Sequence, residues 1–343
     1  MKKLYYLRNP QSGMLEAKEF ADSQLSLLRI ADPVATNLVQ GYTNAEMIGD
    51  KIFTPVRMQK ETGRFPAFGK EAFVIPGGDI KRAVGGRVQR LQTQSGYVTQ
   101  SLSEYALGVT VENRELNEWA GSPDMLINSR LLQVAGRIAL YRENLQAVLA
   151  TTSGNYGSGL AVSGAAKAWK TTGDPVKDMR DLILDVQKNT GLRPNVAWFS
   201  PAAWELFINN TAVLARIKYG GEPITPAQMS QAAAAQLLQV SEVHVGYAVY
   251  GTGGKASKGG VGKDALTMAY VWDSVQSANA GVCVRGTGGG IEPAFGYTWE
   301  RNNSPVIESY YENQTKSQVW DYEHFFDPAI TLNTAGGLYY SLA

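Results

Sequence analysis

SPDMLINSRLLQVAGRIALYRENLQAVLATTSG, residues 122–154, is the longest uninterrupted run with helical periodicity in the chain, and both of its ends are marked. The Ser122 hydroxyl can accept from the free amides of a first turn, Pro123 suits the first helical position, and Gly154 can take a left-handed stop. The spacing predicts one helix over 123–152. Its apolar residues Ile127, Leu131, Val134, Ile138, Leu145 and Val148 recur at intervals of three, four and seven, while Arg130, Gln133, Arg137 and Asn144 mark another face. One side of the helix therefore needs a partner. At about 1.5 Å of rise per residue it reaches roughly 40 Å, which suits a strut better than a wall.

The charge of the whole says little, but its distribution says more. Thirty-two basic residues stand against 31 acidic ones, which excludes a general nucleic-acid or membrane footprint. Residues 51–104 nevertheless hold nine Lys or Arg against four Asp or Glu, net +5, a basic segment that can lie on an acidic surface. The lone Cys283 excludes an internal disulfide framework. With no signal peptide or long apolar span, the chain reads as made in a reducing cytosol.

Outward from the long helix, the chain divides by pattern. Residues 1–48 open with a polar stretch, then a helical pattern of Leu25, Leu27, Leu28, Ile30 and Val34 that Pro33 interrupts and a short second helix from Asp32-Pro33 through Leu38, and they read as an arm. Residues 49–105 carry alternating apolar residues cut by Pro55, Gly63, Pro66, Pro76-Gly77-Gly78 and Gly85-Gly86. Two readings stay open there: a long β-hairpin, marginal in water unless a neighbouring molecule supports it, or strands that join a sheet in the main body. Beyond the helix, Asp174-Pro175, Ser200-Pro201 and Thr225-Pro226 start helices, the first stopped by Gly191 and the last running to Leu238. Strands are expected at 195–199, 243–250, 266–272, 281–285, 296–300, 306–311, 317–322 and 329–331.

Catalytic chemistry is thinly supported. His244 and His324 stand apart from any partner at metal-ligand or general-base spacing, and Cys283 between Val282 and Val284 reads as a buried inert thiol. Gly259-Gly260-Val261-Gly262-Lys263 looks like a phosphate loop, but Asp264 stands where a Walker loop needs Ser or Thr, and Ser257 where it needs Gly. Gly286-Thr287-Gly288-Gly289-Gly290 opens no helix and lacks the context of a dinucleotide site. Glu112, Glu115 and Glu118 read as a solvated or neighbour-facing helix face rather than paired catalytic carboxylates. The chain is read as no enzyme, with no cofactor and no metal.

The order of parts carries a resemblance. An arm, a long hairpin, Val111-Glu112-Asn113-Arg114-Glu115-Leu116, a spine helix, an α/β region with Asn195-Val196-Ala197-Trp198-Phe199-Ser200-Pro201-Ala202-Ala203-Trp204, and a closing β stretch from Ser304-Pro305-Val306-Ile307-Glu308-Ser309-Tyr310-Tyr311 succeed one another. This layout resembles the major capsid protein of tailed bacteriophages with the Hong Kong type coat fold. The resemblance implies an α+β fold with an N-terminal arm at 1–48 and an extended β-hairpin loop at 49–105. It implies a peripheral domain at 106–178 and 305–343 containing the spine helix, and an α/β axial domain at 179–304. It further implies hexamers and pentamers of this chain closing an icosahedral shell around double-stranded DNA, in a virion assembled in the host cytoplasm. A separate scaffolding protein and a portal are implied as partners, with room for a decoration protein and no role for a membrane. Arg64, Lys70, Arg82 and Arg87 of the loop are the expected inter-subunit contacts. The shell of a cellular nanocompartment, which shares the fold, is the alternative.

Overall fold

The computed structural model describes residues 3–8, 15–20, 30–40, 46–67, 81–82, 84–88, 96–218, 229–252, 267–290 and 292–342. Strands β1 (Lys3–Arg8) and β2 (Leu15–Phe20) precede β3 (Ile30–Ala31) and helix α1 (Pro33–Gln40). Helix α2 (Gly49–Ile52) leads into β4 (Thr54–Met58), β5 (Thr62–Ala67), β6 (Gly96–Ser101) and β7 (Ser103–Glu112). Then come α3 (Asn113–Glu118), the long α4 (Pro123–Thr151), β8 (Ala161–Ser163), α5 (Pro175–Thr190), β9 (Val196–Phe199), α6 (Pro201–Ile208), α7 (Thr211–Lys218) and α8 (Gln231–Leu238). The remainder is β10 (Glu242–Val245), β11 (Val249–Thr252), β12 (Thr267–Tyr270), β13 (Ala280–Cys283), β14 (Gly296–Arg301), β15 (Val306–Glu312), β16 (Ser317–Ile330) and β17 (Gly336–Tyr340).

The chain forms two compact units, and the division between them falls inside α4 and inside β16. The first unit gathers Met1–Thr43, Glu104–Ile138 and Asn303–Phe325. In it β1 and β2 pair as an antiparallel hairpin. Asp32 caps α1 as its sequence predicts, accepting from the Val34 and Ala35 amides at 3.0 and 3.1 Å. β15 pairs antiparallel with β16 and with β3, and β7 also pairs with β16.

The second unit gathers Asn44–Ser103, Ala139–Asn302 and Phe326–Ala343. Its centre is a five-stranded sheet in the order β10-β9-β13-β17-β8. β9 is buried along its whole length, as a strand covered on both faces must be. Helix α5 buries Met179, Leu182, Ile183 and Val186 as their spacing predicts, with Asp174 capping its start and Gly191, at φ 77°, its end. Ser200 caps α6 through the Ala203 amide. Trp198, Phe199, Phe207 and Trp272 fill the core.

Several expectations need correction. α4 ends at Thr151, one residue short of the expected 152, and Gly154 is not its left-handed stop: the Thr151 and Thr152 hydroxyls bond back to the Ala147 and Val148 carbonyls and close the last turn. α8 starts at Gln231 under a Ser230 cap, not at Pro226, which lies outside the described residues. The single strand expected over 243–250 is two, β10 and β11, and the two expected over 317–331 are one, since β16 continues through Pro328. β17 is a strand that no sequence pattern marks. Gly336 and Gly337 hide it: they leave no side chain to alternate, because a Cβ on Gly337 would lie 2.8 Å from Leu182 of α5.

Both readings of 49–105 hold, for different pieces. β4 joins the body, running parallel to β14 in register Tyr297↔Thr54 through Arg301↔Met58. β5 and β6 form a separate antiparallel ribbon, Thr62↔Ser101 through Ala67↔Gly96.

Candidate functional site

The ribbon starts from a narrow base. The Leu102 amide donates to the Glu61 carbonyl at 2.8 Å, so the two ends of the excursion abut. Phe65 stacks on the buried Trp299 with ring centroids 3.8 Å apart, and the buried Gln100 side chain hydrogen-bonds the Asp327 carboxylate. Arg301 reaches Glu61 at 3.4 Å. The excursion offers solvent what a free-standing protein would hide: Tyr97 on β6 is exposed, as are Val84 and Val88 between the two strands in sequence.

Of the expected contact residues, Arg64, Arg82 and Arg87 are exposed. Arg82 folds back to donate to the Gly86 carbonyl at 2.6 Å. Lys70 lies outside the described residues.

One buried polar cluster escapes a reading of the apolar residues alone. The carboxylate of Glu143 on α4 accepts from the Ile48 amide at 2.8 Å, the Gly49 amide at 2.9 Å and the indole N–H of Trp272 at 2.7 Å. One helical turn on, the Gln146 amide donates to Asp50 and to the Thr298 hydroxyl, each at 2.8 Å. Arg142 bridges Asp50, at 2.7 Å, and Glu300, and its guanidinium lies over the Phe326 ring. Burial pushes the Glu143 carboxyl above its ordinary range although three N–H donors pull the other way. It raises Glu300 as well, against the pull of Arg142. Arg142 is itself held above its ordinary value, because Asp50 and Glu300 outweigh its burial. A signal for the cluster did exist. The buried stripe Leu131, Ala135 and Ile138 continues at helical spacing to Arg142, Gln146 and Ala150, whereas picking out the apolar residues leads to Val148, which is exposed.

The candidate catalytic groups are engaged elsewhere. His244 bonds Glu242, which Arg285 grips through both oxygens at 2.8 and 3.0 Å. The Cys283 thiol is buried and pushed up to about 12, so it is not a nucleophile. Thr287 in the Gly286–Gly290 loop spends its amide and hydroxyl on Glu292. The phosphate-like loop at 259–263 lies outside the described residues. Glu115 and Glu118 pair with Arg130 and Arg114. Among the described residues, no three His, Cys, Asp or Glu gather where a metal could be held.

No family model matches the chain. In sequence it is similar to the major capsid protein of Burkholderia phage BcepMu, 29% identical over 293 residues that cover 84% of this chain and 90% of that one. In structure it is similar to a phage-related protein of Bordetella bronchiseptica RB50, with TM-score 0.69, 23% identity, and 92% and 98% of the two chains covered. The capsid of cyanophage P-SCSP1u shares the fold at TM-score 0.52 and 12% identity over 84% and 86% of the chains. The chain is thus similar over most of its length to a phage major capsid protein in sequence, and its fold is the Hong Kong type coat fold of phage capsids.

Proposed function

We propose that this capsid protein closes a shell by laying the excursion from residue 62 to 101 on a sibling subunit, within hexamers and pentamers of an icosahedral shell around double-stranded DNA. The observation that carries this reading is the ribbon itself: two paired strands with Arg64 and Tyr97 exposed, and Val84 and Val88 exposed in the sequence between them. A ribbon of that kind is marginal in water without support. Its net positive charge, against a body that sums negative, favours the same partner. The residues expected as contacts, Arg64, Lys70, Arg82 and Arg87, are proposed in that role, as is the division into arm, loop, peripheral and axial parts. A near-neutral total charge suits a container that must hold DNA without being fixed to it by phosphate contacts. Assembly in the host cytoplasm with a separate scaffolding protein and a portal belongs to the same proposal.

The abutting ends of the excursion define the test. Because Glu61 and Leu102 are already hydrogen-bonded, residues 62–101 can be replaced by a two-residue turn that leaves β4 in the body sheet. The shortened subunit is expected to stay soluble, to keep its far-ultraviolet circular dichroism, and to form no closed shells by negative-stain microscopy. Intact shells from it would overturn the proposal.

A further inference from the structure

The cluster around Glu143 stands where apolar packing would serve stability as well. Glu143 and Gln146 are buried on α4, and replacing a buried charged set by well-packed apolar residues is often neutral or stabilising. Its members share a more particular property, which is where they attach. Every bond runs to the root of the loop or to the strand beside it, apart from the one from Trp272. Glu143 holds the Ile48 and Gly49 amides, and Gln146 and Arg142 both hold Asp50. The same two side chains reach Thr298 and Glu300 on β14, whose register partners on β4 are Pro55 and Arg57. Gly49 is shaped to fit: a Cβ there would lie 2.6 Å from the Glu143 carboxylate and would collide with the Gln146 side chain. Only a glycine lets these backbone amides come so close.

We infer that Arg142, Glu143 and Gln146 are positioning residues for shell assembly: they clamp residues 48–50 and β14 to the spine helix, so that the loop leaves the subunit in one fixed direction. The inference rests on the reading of the loop as an inter-subunit arm. Leverage gives the clamp its importance. A strand of six residues at about 3.3 Å each is roughly 20 Å long, so a tilt of about 10° at its root displaces its far end by roughly 3.5 Å. That exceeds the tolerance of a packed contact.

The test compares Glu143→Gln and Gln146→Met with Val186→Ala, a cavity variant in α5 that touches no part of the clamp. Amide hydrogen exchange over residues 46–58 is read on free subunits, and closed shells are counted by sedimentation and microscopy under conditions where the wild type closes them. In either clamp variant, exchange at Ile48 and Gly49 is expected to quicken at least tenfold and closed shells to fall at least fivefold. In Val186→Ala, at an equal or larger loss of melting temperature, both stay at the wild-type level. Unchanged exchange in a folded clamp variant overturns the inference, as does a loss of shells that only tracks melting temperature across all three. Should Glu143→Gln not fold, Gln146→Met, which keeps its volume, decides alone. A wild type that closes no shells under any condition would sink the function proposed above, while the exchange measurement would still judge the clamp.

Discussion

Asp174 does two jobs with one carboxylate. It caps α5 through the Lys177 amide at 3.2 Å and takes both Arg216 nitrogens at 2.5 Å. Burial pushes its pKa up, but Arg216 and the capping amides outweigh this and hold it below the ordinary value. A depressed folded pKa means stability that is present above the unfolded value, near 3.9, and lost as pH falls through the folded one. Asp174→Asn is therefore expected to cost about 1 kcal/mol at pH 7 in urea unfolding, with the gap to wild type closing below about pH 4. Gly281→Ala has a steric effect instead. Its Cβ would lie 2.5 Å from the buried Trp198 ring, and a loss of about 2 kcal/mol or more in urea unfolding is the expected reading. Residues whose role is local chemistry were legible in the sequence: Asp32, Asp174 and Ser200 each pair a short oxygen-bearing side chain with a proline at the next position and each starts a helix, although the same pairing at Thr54-Pro55 and Asp327-Pro328 lies within strands. Glu143 and Gln146 were not, because a polar residue on a helix is ordinarily solvated, and only long-range partners at positions 48–50, 272 and 298 make these two interior.

Elements with a strong period were equally legible. α5 and the start of α4 obey their apolar spacing, whereas alternation and breakers left open whether 49–105 is a hairpin or joins the body, and the structure holds a piece of each. What sequence patterns missed is pairing across long separations. β16 runs through Pro328, which reads as a stop but lies opposite Thr298 in the ladder. The ribbon supports its own predictions. Phe65→Ala removes the stack on Trp299, and faster amide exchange over 62–67 and 96–101 is expected with little change in the melting temperature of the body. Reversing the charge of two or more among Arg64, Lys70, Arg82 and Arg87 should weaken assembly more at low salt than at high, measured as the subunit concentration at which shells appear. An unchanged salt response would remove electrostatics from the docking of the loop.

At the scale of the molecule, the linear order of the sequence patterns was enough to point to the coat fold. The five-stranded sheet was the part least visible, and it has a consequence for how the chain is made. β17 enters between β13 and β8, hydrogen-bonded antiparallel to the first and parallel to the second. On the ribosome, everything from residue 161 to 335 appears before the strand that belongs in that slot. For that interval two naked β edges face a cell crowded with identical nascent copies, the setting in which strands pair with the wrong chain. Fewer nascent copies at one time, or chaperone cover during this window, should therefore raise the yield of soluble subunits.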